Sequence, residues 1–112
     1  MLFRSRITPE RVIIDHVEEH TAGIVLDTGM WAGMTLYPES KCTPARAIDI
    51  LENFGSERIW MNSACDWGIS VPLAVPRTIL EMRKRGWSAE RADAVAFGNP
   101  LQFMSQNPRF QI

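Results

Sequence analysis

The fold class read from this sequence is α/β: three parallel strands alternating with helices in the order βαβαβα, with one further helix. Three observations lead there. Short apolar, β-branched or aromatic runs recur in "RVIIDHV", "WAGMTLYP" and "ERIWMNS". They lack the polar alternation of a strand that shows one face to water, so they suit a sheet covered on both sides. Segments with helical apolar spacing and recognisable caps separate and follow them. The chain also repeats itself: "ERVIID" at 10–15 and "ERIWMN" at 57–62 share Glu-Arg, three apolar residues and a closing Asp or Asn, 47 positions apart, about two βα units. Such alternation implies a parallel sheet with right-handed crossovers.

The first strand is expected near 11–17, its β-branched residues being Val12, Ile13, Ile14 and Val17. "TAGIVLDTG" has helix-compatible spacing, with Gly29 as its C-terminal stop. A second strand near 31–37 ends at Pro38. The clearest helix is "CTPARAIDILENFG": Thr43 caps it, Pro44 is its first residue, Ala47, Ile48 and Leu51 form the apolar stripe, and Gly55 stops it. The third strand is expected near 58–64 and leaves through a polar, Gly-containing loop. A helix starting near Pro76 carries cations in its last turn, where the macrodipole favours them. Ser88 caps "SAERADAVAF", which Gly98-Asn99-Pro100 should stop, leaving a short turn over "LQFMSQ" and a loose tail.

At 112 residues, 46% hydrophobic and 22% charged, the chain has the balance of one globular domain, read as residues 6–112. "MLFRS" at 1–5 caps and initiates nothing and is read as extraneous, the rest as a piece of something longer. A net charge of -1 with scattered Lys and Arg argues against a dedicated nucleic-acid binder. No apolar run is long enough to span a bilayer and no secretory signal is visible, so the expected location is cytoplasmic, with no membrane partner. Cys42 and Cys65 are too few for a disulfide framework or a four-Cys zinc site, and both are read as inert packing thiols.

His16, Glu19 and His20 spell H-x-x-E-H, the zinc-helix pattern of inverzincins. Thr8-Pro9-Glu10 could open such a helix. The repeat argues otherwise, because its second copy has no polar face and reads as a strand. A zinc helix also needs a distal third ligand, and no other His exists in the chain. His16 therefore sits at a strand end.

In a parallel β/α array the C-terminal strand ends carry the chemistry. The first end offers Asp15, His16 and Glu18, the second Thr35 and Tyr37, the third Asn62, Ser63 and Asp66. A His and a carboxylate on different strands are nitrogen and oxygen donors of the kind a divalent metal needs. Taken together, "IIDHVEEHT", "WAGMTLYP", "CTPARAIDIL", "ERIWMNSACDWG", "PLAVP" and "NPLQF" resemble the C-terminal part of a TatD-related metal-dependent hydrolase of the amidohydrolase superfamily, covering residues 6–103. The resemblance implies strands six to eight of a (β/α)8 TIM barrel. It implies His16 as the strand-six metal ligand, Asp66 as the strand-eight ligand and catalytic carboxylate, and Asn99-Pro100 in the closing helix. Glu18, Thr35, Tyr37, Asn62 and Ser63 would line the substrate pocket. The implied cofactor is a divalent ion, zinc, manganese or magnesium. The implied substrate is a small molecule or phosphodiester, with nucleic acid entering only through the resemblance.

The family's strand-one H-x-H and its strand-four and strand-five ligands have no counterpart here, so these residues alone should not hold a full metal centre, and activity is expected of the full-length protein and not of this piece by itself. Each candidate also has a plainer reading. Asp66 could cap the next helix, and His16 could be a hydrogen-bonded core residue. Glu18 and Glu19 suit a helix start, and His20 suits a solvated first turn. Asp15 points away from His16 in a regular strand and either supports the site from behind or is structural, while Trp31, Trp60 and Trp67 mainly pack, Trp67 being placed to wall a pocket beside Asp66. The second functional reading is a non-catalytic β/α barrel module, a scaffold or small-ligand binder.

Overall fold

Thr8 and Pro9 turn the chain through one 3-10 turn, Pro9–Arg11, and deliver it into the sheet. In the computed structural model, which describes residues 7–66 and 68–111, three strands follow: β1 (Ile13–Ile14), β2 (Trp31–Leu36) and β3 (Ile59–Ser63). They lie in chain order β1-β2-β3, and both pairings are parallel. Ile13 stands opposite Trp31, and Thr35 opposite Asn62. The expected tripartite parallel sheet is therefore present. The readings of residues 1–5 and of Trp67 lie outside the described residues.

The helices are α1 (Ala22–Asp27), α2 (Pro44–Phe54), α3 (Ala74–Lys84), α4 (Ala89–Asp93) and α5 (Asn99–Met104). Thr43 caps α2 by accepting the Arg46 N–H at 3.3 Å, and Gly55, at φ 89°, ends it in a backbone region that side chains rarely adopt. Ser88 caps α4 through the Arg91 N–H at 3.1 Å. Strand alternation divides the sheet into two faces. Ala32, Met34, Leu36, Ile59 and Met61 pack with Ala47, Ile48, Leu51, Ala74 and Met82 into the buried core under the helices. Trp31, Gly33, Thr35, Trp60 and Asn62 lie on the opposite face. There Trp31, Trp60 and Phe103 of α5 form a ring cluster with centroids 5.1 to 5.7 Å apart, so both tryptophans pack as expected.

Several expectations need correction. β1 is two residues long, not seven, because the 3-10 turn occupies its start and His16, at φ 63°, breaks its end. Pairing does continue on either side, through Trp31 N–H to Val12 O and Val17 N–H to Gly33 O, both 2.9 Å. No helix runs through His16, so the H-x-x-E-H residues do not form a zinc helix. α3 begins at Ala74, which puts Pro76 in a first turn whose N–H groups have no intrahelical partner anyway.

Gly98-Asn99-Pro100 does not stop the helix. A π-helical turn, Ala94–Gly98, joins α4 to α5, with Gly98 in ordinary helical conformation. The Asn99 N–H bonds the Ala94 carbonyl five residues back, and Pro100, which has no N–H, falls in the first turn of α5. Nor is the segment after α5 wholly loose: Gln106 Nε2 donates to the Glu10 carbonyl at 2.8 Å, and Arg11 donates to the Gln106 carbonyl at 3.3 Å. Cys42 is buried as expected, but Cys65 is exposed, not a buried packing thiol. No helix among the described residues is long and apolar enough to cross a membrane.

Candidate active site at the strand ends

The parallel register brings the C-terminal ends of β1, β2 and β3 to one edge of the sheet. His16, Val17, Glu18, Thr35, Lys41 and Cys42 line a cavity there of about 230 Å³. His16 reaches it because its left-handed backbone breaks the strand alternation that would have sent its side chain toward the helices.

Tyr37 follows β2 and is buried, and its hydroxyl donates to Asp66 Oδ1 at 2.9 Å. That hydrogen bond is the main reason the Asp66 carboxyl lies below its ordinary value; a backbone hydrogen bond and the charges of Lys41 and His16 act in the same direction. Conversely, burial and the carboxylate raise the Tyr37 hydroxyl. Asp66 is thus held ionised by a neutral donor at the mouth of the sheet. The Lys41 ammonium stands 5.1 Å from the centroid of the Tyr37 ring, and Lys41 itself has a left-handed backbone, φ 54°. Nothing in the sequence reading singled Lys41 out, because its place depends on the loop from Pro38 folding back so that Cys42 bridges Leu36.

Thr35 and Asn62 stand side by side on the open face and both donate to Asp15 Oδ1, at 3.2 and 3.0 Å. Ser63 does not join them: alternation turns it to the helix side, opposite the buried Leu36. Glu18 lines the cavity, but its Oε1 accepts from Arg46 Nη2 at 2.8 Å. Glu19 is held bidentately by the same guanidinium, with Arg46 Nε at 2.7 Å from its Oε1. That pairing lowers the Glu19 carboxyl to about 2. These two acids therefore bind α2 to the β1 exit rather than starting α1. Arg46 also donates to the Lys41 carbonyl, tying the Lys41 turn to the same guanidinium. His20 is exposed. Burial raises the Cys42 thiol to about 12, which keeps it protonated and unreactive.

His16 and Asp66 offer one nitrogen and one oxygen donor. Among the described residues no group of three His, Cys, Asp or Glu side chains converges as a metal site. A catalytic zinc ion takes three protein ligands, so these residues by themselves do not complete a metal centre.

The chain is 28% identical over 98 residues to an uncharacterized metal-dependent hydrolase of Methanocaldococcus jannaschii. The match covers 88% of this chain but 38% of that relative, so the chain spans well under half its length. No family model matches the sequence, and no solved structure matches it.

Proposed function

We propose that the chain is part of a metal-dependent hydrolase in which Asp66 accepts the proton of an attacking water and His16 is a metal-binding side chain. What supports this is the Tyr37–Asp66 hydrogen bond at the C-terminal edge of the parallel sheet, with His16 lining a cavity at that edge and its charge acting on Asp66. The similarity to a relative described as a metal-dependent hydrolase supports the same class. In the finer form of the proposal, β1, β2 and β3 are strands six to eight of a TatD-like barrel of the amidohydrolase superfamily. The remaining ligands of the divalent ion then come from outside these residues. A phosphodiester, amide or related bond is the expected target.

Asp66 suits its role because a carboxylate must be ionised to take a proton, and the Tyr37 hydroxyl keeps it so. The exposed position of Asp66 leaves room for water beside it. Thr35, Asn62 and Tyr37 belong to the pocket wall in this proposal, and Glu18 contributes through its pairing with Arg46.

A second reading, a non-catalytic barrel module that binds a small ligand, draws on the lack of a third ligand among the described residues. Asp66→Asn separates the two. It keeps the side-chain shape and still accepts from Tyr37, but removes the proton acceptor. Loss of a general base lowers rate by about 100- to 10,000-fold. Hydrolysis of a generic phosphodiester and a generic ester is measured in the full-length protein with zinc or manganese added, alongside metal content. His16→Ala is expected to lower bound metal. Wild-type turnover in Asp66→Asn, on a substrate that the wild type hydrolyses, would remove Asp66 from its role and put the module reading first.

A further inference from the structure

The Asp15 side chain is where the three strands meet. A single oxygen, Oδ1, accepts three hydrogen bonds: from Thr35 Oγ1 at 3.2 Å, from Asn62 Nδ2 at 3.0 Å and from the His16 backbone N–H at 3.0 Å. The donors belong to β2, to β3 and to the exit of β1. Asp15 and Asn62 are the closing residues of the two copies of the sequence repeat, so the repeat ends in a direct bond between its copies.

Gly33 makes the space. A Cβ at that position would stand 2.4 Å from Asp15 Oδ1 and 3.1 Å from its Cγ, closer than real Cβ contacts come. The Gly33 carbonyl also accepts the Val17 N–H at 2.9 Å. His16 is therefore anchored on both sides, through its own N–H to Asp15 and through the next residue's N–H to Gly33. Between those anchors its backbone adopts φ 63°, a conformation uncommon for a non-glycine residue.

We propose that Asp15 is a positioning residue: held by Thr35 and Asn62 above Gly33, it locks the left-handed turn that presents the His16 side chain to the cavity. The purpose of presenting His16 rests on the hydrolase proposal, whereas the locking can be measured without any substrate.

The chain contains two histidines, so His20 is an internal reference in the imidazole region of a proton NMR spectrum. In Asp15→Ala the His16 amide is expected to exchange about tenfold faster, the scale of one lost net hydrogen bond. Its ring resonance should move or broaden while that of His20 stays in place. Gly33→Ala should reproduce both effects, because the added methyl displaces the carboxylate, and the double variant should add nothing further. Asp15→Asn keeps an acceptor oxygen in the same place and should restore the wild-type pattern.

Thr35→Val, which preserves shape and removes one donor, covers the case in which the alanine variants do not fold. A smaller change of the same kind, confined to His16, is expected there. On a substrate that the wild type hydrolyses, Asp15→Ala should lower kcat with KM little changed. Unchanged His16 exchange and ring resonance in a folded Asp15→Ala, or in Thr35→Val if the alanine variants do not fold, would overturn the proposal. A full-length wild-type protein, with the remaining ligands present, that hydrolyses none of the substrates would count against the hydrolase reading and leave the His16 measurements to decide the positioning role.

Discussion

Asn99 joins the π-helical turn to the sheet, and its removal should be among the costliest single polar changes in the protein. Its Nδ2 donates to the carbonyls of Ser56 and Ile59, both at 2.7 Å, and the residue is 9% exposed. Asn99→Ala removes both bonds and leaves two carbonyls at the entrance of β3 without a donor. Each hydrogen bond contributes about 1 kcal/mol net, and an unpaired buried polar group costs about 1–3 kcal/mol. Allowing for partial access of water to Ser56, the expected loss is about 2–4 kcal/mol. For a domain of this size that lowers the melting temperature by roughly 10–20 °C.

The decisive variant is Asn99→Asp, nearly the same shape but without donors. At neutral pH its carboxylate would face two carbonyl oxygens, so it should destabilise more than alanine does. Those carbonyls would raise its folded-state pKa above the unfolded value, so the lost stability should return as pH falls and the protonated carboxyl donates to one of them. Urea unfolding at neutral and at mildly acidic pH measures both. An Asn99→Asp protein within about 1 kcal/mol of wild type at neutral pH would refute the assigned hydrogen bonds.

Three further outcomes follow from the site and its surroundings. Glu19 is lowered by Arg46 from 4.5 to about 2 in the folded protein, so the stability it contributes is complete above the unfolded value and is lost as pH falls through that window. Melting temperatures at pH 6 and pH 3 should diverge less in Arg46→Met than in wild type; equal divergence contradicts the pairing. Tyr37→Phe removes the main cause of the lowered Asp66 carboxyl, so the acidic limb of the pH–rate profile should move upward in pH, and an unmoved limb would separate Tyr37 from the catalytic group. An aromatic disulfide reagent should modify the exposed Cys65 in the native protein and the buried Cys42 only after denaturation; two fast native thiols would show that Cys42 is accessible.

The order of strands and helices, and the caps at Thr43, Gly55 and Ser88, were legible in the sequence because they depend on local preferences and on the period of apolar residues. The strand ends with His16, Tyr37 and Asp66 were legible for the same reason, since a parallel sheet places all such ends on one edge. The reading failed where a contact came from far along the chain. Alternation assigns Asp15 and His16 to opposite faces only if the strand stays regular, and bonds from Asp15 to Thr35 and Asn62 accompany the left-handed turn that ends that regularity. Glu18 and Glu19 resemble helix-start acids until Arg46, 28 and 27 residues away, claims them. Gly98-Asn99-Pro100 has the composition of a stop, yet the Asn99 side chain finds acceptors 43 and 40 residues away and the helix runs on through a π turn. One signal for the Asp15 network was present from the start, in the matching Asp and Asn that close the two repeats. Its meaning needed the fold, because hydrogen bonds between side chains depend on distance in space, and a sequence records only distance along the chain.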